Sequence, residues 1–107
     1  MINNINAQEL STRLEAGESI DIIDVREAWE IETSGTIENA IHIPMDEVPE
    51  RMAEITKDKP VVVLCHTGRR SAEVVEWLSK QGYTNLLNLT GGIHQWAMEI
   101  DPDIQMY

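Results

Sequence analysis

A chain of 107 residues, 42% of them hydrophobic, is the length of one compact domain and can bury a core without disulfides or a metal. Its 19 acidic and 8 basic residues give a net charge of -11, which argues against nucleic acid and anionic membrane surfaces, both bound largely through lysine and arginine. A single cysteine excludes an internal disulfide and fits a reducing, cytoplasmic setting in which a free thiol persists.

The opening MINNINAQEL has neither the basic start nor the apolar run of a secretory signal, and no later apolar run approaches the roughly 18 residues of a membrane span. AQELSTRLEAG places Leu10 and Leu14 four apart ahead of Gly17, which predicts a short helix. SIDIIDV fills with Ile and Val as a strand buried on both faces does. REAWEIETSG predicts a short helix running into a loop, with the acidic residues from Glu27 to Glu32 on a solvated face; AIHIP is a brief strand stopped by Pro44. MDEVPERMAEIT resumes helical spacing, with Pro49 either in the first turn or breaking it. PVVVLC is the clearest buried strand. SAEVVEWLSKQG is an amphipathic helix with Ala72, Val75 and Leu78 on one face, widened by Val74. NLLNL is a last short strand, and GGIHQWAMEI a terminal helix after a glycine turn. Strands alternating with helices predict an α/β fold: an open, mostly parallel sheet with helices on both faces. No repeat, low-complexity segment or Gly/Ser-rich linker marks a second unit, so one domain over residues 1–107 is expected.

That architecture gives the lone thiol a place. Ligands of open parallel sheets bind beyond the carboxyl ends of the strands, and Cys65 ends the most apolar one. If HTGRR is a tight loop feeding a helix near Ser71, its backbone N–H groups turn inward toward the sulfur above the helix's positive end, surroundings that favour the ionised, nucleophilic form of a thiol. Gly68 permits the turn. Buried free cysteine is more often a small apolar residue, but a core position is not usually followed by His, Thr, Gly, Arg, Arg. The adjacent Arg69 and Arg70, in so acidic a chain, suit an anionic ligand.

Cys65-His66-Thr67-Gly68-Arg69-Arg70 resembles the six-residue active-site loop of the rhodaneses, the sulfurtransferases, in their single-domain form. Asp24 to Glu27 (DVRE), His42 to Pro44 (HIP) and Leu89 to Trp96 (LTGGIHQW) resemble the family's other landmarks in their usual order, so the resemblance covers nearly the whole chain. Gly35-Thr36-Ile37 departs from it, standing where the family commonly has Gly-His-Ile. The resemblance implies a rhodanese-like fold, no cofactor, and a two-step exchange. The Cys65 thiolate takes the outer sulfur of a small anionic donor such as thiosulfate, sulfite leaves, and the resulting persulfide passes its sulfur to a thiol or cyanide, or to a thioredoxin-like or other acceptor protein.

In this scheme the loop amides meet the persulfide charge and Arg69 faces the substrate. Arg70 either contacts substrate or braces the loop against a carboxylate, with Asp24, at the end of a neighbouring strand, the expected partner and Ser71 supporting the loop. Asp24 has a second reading as a turn former. His66 is either a proton carrier or a solvated loop residue. His42 and His94 lack metal-ligand spacing, so no metal site is expected. Trp29, Trp77 and Trp96 read as packing residues, with a second reading of Trp96 near the pocket by virtue of its landmark, and the Asn88 glycosylation pattern as a chance match. Two other classes stay open. A cysteine phosphatase or arsenate reductase also seats a thiolate in an arginine-closed loop, but with five residues enclosed where Cys65 and Arg70 enclose four. A non-catalytic rhodanese-like binding module is the third reading, although such modules often lack the cysteine.

Overall fold

Side chains along Val61 to Cys65 are all buried, yet they divide between two cores: Val61, Val63 and Cys65 in one, Val62 and Leu64 in the other. Period-two alternation in a wholly apolar run therefore requires cover on both faces. The computed structural model describes residues 2–107, so Met1, which opens the expected domain, lies outside the described residues.

Five strands form one parallel sheet: β1 (Asn4–Ile5), β2 (Asp21–Asp24), β3 (Ile41–His42), β4 (Val61–Leu64) and β5 (Leu86–Leu89), in the order β1-β5-β4-β2-β3. The helices are α1 (Ala7–Glu15), α2 (Ala28–Ser34), α3 (Val48–Arg51), α4 (Arg69–Lys80) and α5 (Gly92–Glu99). One core packs Val74, Val75 and Leu78 of α4 and Val48 of α3 against Ile23, Val61 and Val63. The other packs Leu10 of α1 and Ile93 and Trp96 of α5 against Ile22, Val62 and Leu64. Each such aliphatic side chain, fully buried, contributes about 1.5–3 kcal/mol. The α/β sheet with helices on both faces is as expected.

Each predicted helix and strand is present, with local differences. Pro49 sits in the first turn of α3, which is flanked by short 3-10 turns at Met45–Glu47 and Met52–Glu54 rather than extended into one longer helix. In α4, Ser71 takes a buried position while Ala72 is only half-buried. The two-residue β1 was not predicted, because a strand this short carries no periodicity; it exists through pairing of Asn4 with Asn88 and Ile5 with Leu89. Of the tryptophans, Trp96 is in the core, whereas Trp29 is 57% exposed and Trp77 37% exposed, so neither of those is the packing residue expected.

The strand order switches sides between β2 and β4: β2 leads to β3 on one side, β4 to β5 on the other. The crevice beyond their carboxyl ends is the place such folds reserve for ligands. Asp24 and Leu64 are register partners there, and Cys65 follows Leu64.

Candidate active site

Two peptide planes shape the loop that leaves β4. The Cys65 carbonyl accepts from the Ile93 amide (2.9 Å) and the His66 carbonyl from the His94 amide (3.0 Å), both in the first turn of α5. In planar trans peptides the N–H lies opposite the carbonyl, so the amides of His66 and Thr67 face away from α5. This docking requires Gly92: its φ is +57°, and a Cβ there would stand 2.4 Å from the His66 oxygen and 2.6 Å from the Cys65 oxygen. Gly68, with φ +104°, turns the chain into α4 and donates its amide to Cys65 Sγ at 3.1 Å. The helix therefore starts at Arg69, slightly ahead of the expected Ser71.

Ser71 is nonetheless part of the site. Its Oγ lies 3.3 Å from Cys65 Sγ and 2.5 Å from Asn88 Oδ1, while Asn88 Nδ2 donates to the Gly68 carbonyl at 3.2 Å. The bond to Gly68 sets the amide orientation, so Asn88 Oδ1 and Cys65 Sγ compete for the single Ser71 hydroxyl proton. Asn88 is 4% exposed on β5, which explains why its glycosylation pattern is not presented at the surface. Cys65 itself is 1% exposed.

The far end of the loop is held by a different residue from the one expected. Arg70 donates to Glu30 of α2 from Nη1 to Oε1 at 2.7 Å and from Nη2 to Oε2 at 2.8 Å. Asp24 is already filled by Arg26, whose backbone amide, Nε and Nη2 donate to it at 3.0, 3.0 and 2.7 Å. Thr36 adds a hydroxyl to Asp24 Oδ2 at 2.7 Å, so the departure from Gly-His-Ile leaves a hydrogen-bond donor in place. Local geometry decides the choice: Arg26, two residues along, reaches the strand-end carboxylate first. The expected solvated face of α2 is likewise corrected at Glu30, which is 3% exposed.

Tyr107 joins these groups. Its hydroxyl accepts from Arg26 Nη1 at 3.0 Å and donates to Glu30 Oε2 at 2.6 Å, and its ring stacks on His66 with centroids 4.0 Å apart and planes 9° apart. Hydrogen bonds from Arg70, and then from Tyr107, outweigh burial and hold the Glu30 carboxyl down at about 2. Burial pushes the Tyr107 phenol up to about 12, with donation to Glu30 acting in the same direction against the lowering effect of Arg26. Burial also lowers His66 below its usual range, so the stacked ring is neutral at pH 7. His66 is thus neither freely solvated nor poised as a cation.

Of the residues singled out from the sequence, Gly68 and Ser71 converge on the sulfur of Cys65, and Arg70 is paired with Glu30. Asp24 lies in the adjoining buried pair with Arg26, and His66 stacks beside it. Thr67 and Arg69 are exposed, and Arg69 makes no ion pair among the described residues. No three His, Cys, Asp or Glu side chains among the described residues gather as a metal site. Glu30, Asn88 and Tyr107 were not anticipated. A polar residue interrupting the apolar strand Leu86–Leu89 is a usable signal for Asn88; nothing local singles out Tyr107.

Residues 6–99 match the family model of the rhodanese-like domain. A chain named sulfurtransferase from Allochromatium vinosum is 43% identical over 97 residues, covering 91% of this chain and 90% of that one. A rhodanese-related protein from Thermoplasma volcanium superposes with a TM-score of 0.81 at 37% identity, over 92% of this chain and 93% of that one. A rhodanese-like domain protein from Staphylococcus aureus gives a TM-score of 0.85 at 32% identity over 99% of both chains.

Proposed function

The chain belongs to the rhodanese-like domain family, and on that premise we propose that it is a sulfurtransferase carrying sulfur as a persulfide on Cys65, with thiosulfate as donor. The observation that carries the reading is the convergence of the Gly68 amide and the Ser71 hydroxyl on Cys65 Sγ. Both are donors suited to a sulfur that bears negative charge in one state and loses it to a bond in the next.

The Cys65 thiolate attacks the outer sulfur of thiosulfate. A sulfur–sulfur bond forms, the bond to the sulfonate sulfur breaks with its electron pair, and sulfite leaves. Cys65 then carries a persulfide anion. An acceptor thiolate, or cyanide, attacks the outer sulfur and returns Cys65 to the thiolate. Every leaving group is already anionic, so no general base is needed and neutral His66 need not move a proton. Arg69 draws in the anionic donor, and Arg70 acts through Glu30 to keep the loop in register. The loop encloses four residues between cysteine and arginine, a smaller ring than phosphoryl groups use, and Arg70 already spends two of its donors on Glu30. Both points favour sulfur over phosphate chemistry. We place residues 1–107 in one domain acting in the cytoplasm, where reducing conditions keep the thiol free and a thioredoxin-like protein can serve as acceptor.

Intact-protein mass spectrometry after incubation with thiosulfate tests the reading. The wild type should gain one sulfur atom that reductant removes, and Cys65→Ser should gain none. An unmodified wild type with thiosulfate and with other sulfane donors overturns it.

A further inference from the structure

Tyr107 lies beyond the residues 6–99 that match the family model, yet it touches His66 at the start of the Cys65–Arg70 loop and Glu30, the carboxylate that holds the loop's end. We propose that Tyr107 is a positioning residue for that loop, clamping its start through the ring stacked on His66 and its end through the hydroxyl bonded to Glu30, the carboxylate that holds Arg70. The inference rests on the sulfur-transfer reading only for its effect on turnover; the clamp itself is a matter of geometry.

Several contacts fix the clamp. Ile104 is buried in the core and the Gln105 amide donates to the Ser34 carbonyl at 3.0 Å, which anchors the segment just before Tyr107. The Trp29 ring meets the Tyr107 ring edge-on at 6.1 Å, opposing sideways displacement. Arg26, fully buried on Asp24, donates to the Tyr107 oxygen and leaves the phenol proton for Glu30. The ring so held lies parallel to the His66 imidazole stacked on it. His66 adjoins Cys65, and its carbonyl is already tied to α5, so backbone and side chain of residue 66 are each held by a separate partner. Loss of the ring frees one side of this hold, while loss of the hydroxyl alone leaves the stack and the two Arg70–Glu30 bonds in place.

These differences give the test. Wild type, Tyr107→Phe and Tyr107→Leu are compared, with matched fractions folded, for thiosulfate kcat and KM and for the rate at which iodoacetamide alkylates Cys65. Because Cys65 is 1% exposed, alkylation reports loop opening without requiring sulfur transfer. Tyr107→Leu should lower kcat about tenfold with KM within about twofold, the pattern of lost positioning rather than lost binding, and should raise alkylation about fivefold. Tyr107→Phe should recover most of the loss in both measurements. Wild-type kcat and alkylation in the Leu variant, or equal damage in Phe and Leu, overturns the clamp. If the wild type transfers no sulfur but the alkylation contrast holds, the clamp stands and the sulfur-transfer reading falls.

Discussion

Glu30 and Arg70, forty positions apart, meet through two parallel hydrogen bonds of 2.7 and 2.8 Å that tie α2 to the first turn of α4. Such a fork fixes orientation as well as distance. It favours bracing for Arg70, because a guanidinium forked onto a buried carboxylate has to give up both bonds to swing out to a substrate.

The pair should be visible in the pH dependence of stability. Glu30 titrates at about 2 in the folded protein against 4.5 ordinarily, so its contribution is complete above about pH 4.5 and drains away as the pH falls toward 2. At pH 7 the Glu30→Gln variant should be less stable by on the order of 3 kcal/mol, a shift of that size being worth about 1.4 kcal/mol per unit. Urea unfolding at pH 7, 5 and 3 checks this. The gap between wild type and variant should be constant from pH 7 to 5 and clearly smaller at pH 3; a gap that does not narrow means that the carboxylate charge is not what stabilises.

Arg69 has the opposite situation: it is exposed and makes no ion pair among the described residues. In a chain of net charge -11 it is the loop's available cation. Replacing it with Glu should raise KM for thiosulfate about tenfold while leaving an uncharged persulfide donor within about twofold, and added salt should narrow the difference. Equal effects on the two donors would remove Arg69 from charge steering.

How far these roles could be read in advance depended on whether the signal was local. Val61 to Cys65 announced a buried strand because an unbroken apolar run and a following turn leave few alternatives, and Gly68 announced a turn that proves to be left-handed. For Arg70 bracing was one of two readings beside substrate contact, and the partner named for it was the wrong carboxylate: choosing between Asp24 and Glu30 requires knowing that Arg26 has already filled Asp24, a matter of side-chain reach across a strand end. Glu30 looked like its neighbours Glu27 and Glu32 because burial of one carboxylate on α2 depends on what arrives from α4 and from Tyr107. Tyr107 itself reaches the site across seventy-seven residues from Glu30, beyond any spacing rule.

The docking of the loop on α5 predicts a sharp ranking among glycines. Gly92→Ala places a Cβ against the Cys65 and His66 carbonyls, which cannot retreat without losing their bonds to Ile93 and His94. Gly17 has a comparable positive φ of +83° but open space around it. Gly17→Ala should therefore cost only the backbone strain, about 1 kcal/mol, whereas Gly92→Ala should cost more than about 3 kcal/mol and abolish sulfur transfer. Denaturant titration of both variants, with turnover measured on the folded fraction, checks the order. Similar losses in the two would mean that the loop yields to accommodate a methyl group.

The Ser71 proton offers the closest test of the sulfur's surroundings. With Asn88 Nδ2 committed to the Gly68 carbonyl, Asn88 Oδ1 competes with Cys65 for that proton. When the sulfur is anionic the hydroxyl gains most by turning to it; when the sulfur is protonated, the thiol donates to Ser71 and Ser71 to Asn88. Ser71→Ala removes a donor to the anion but leaves the Gly68 amide at 3.1 Å, so sulfur transfer should fall about tenfold to a hundredfold, equivalent to roughly 1.4–2.7 kcal/mol, with little change in KM. Asn88→Asp should be more damaging, because a carboxylate holds the Ser71 proton more strongly and sets an acceptor against the Gly68 carbonyl where a donor stood. Comparing kcat for the two variants, each checked for an unchanged fold by circular dichroism, decides the matter. Should Asn88→Asp retain more activity than Ser71→Ala, Asn88 does not compete with Cys65 for the hydroxyl proton; should Ser71→Ala keep wild-type kcat, the Gly68 amide alone meets the charge on Cys65.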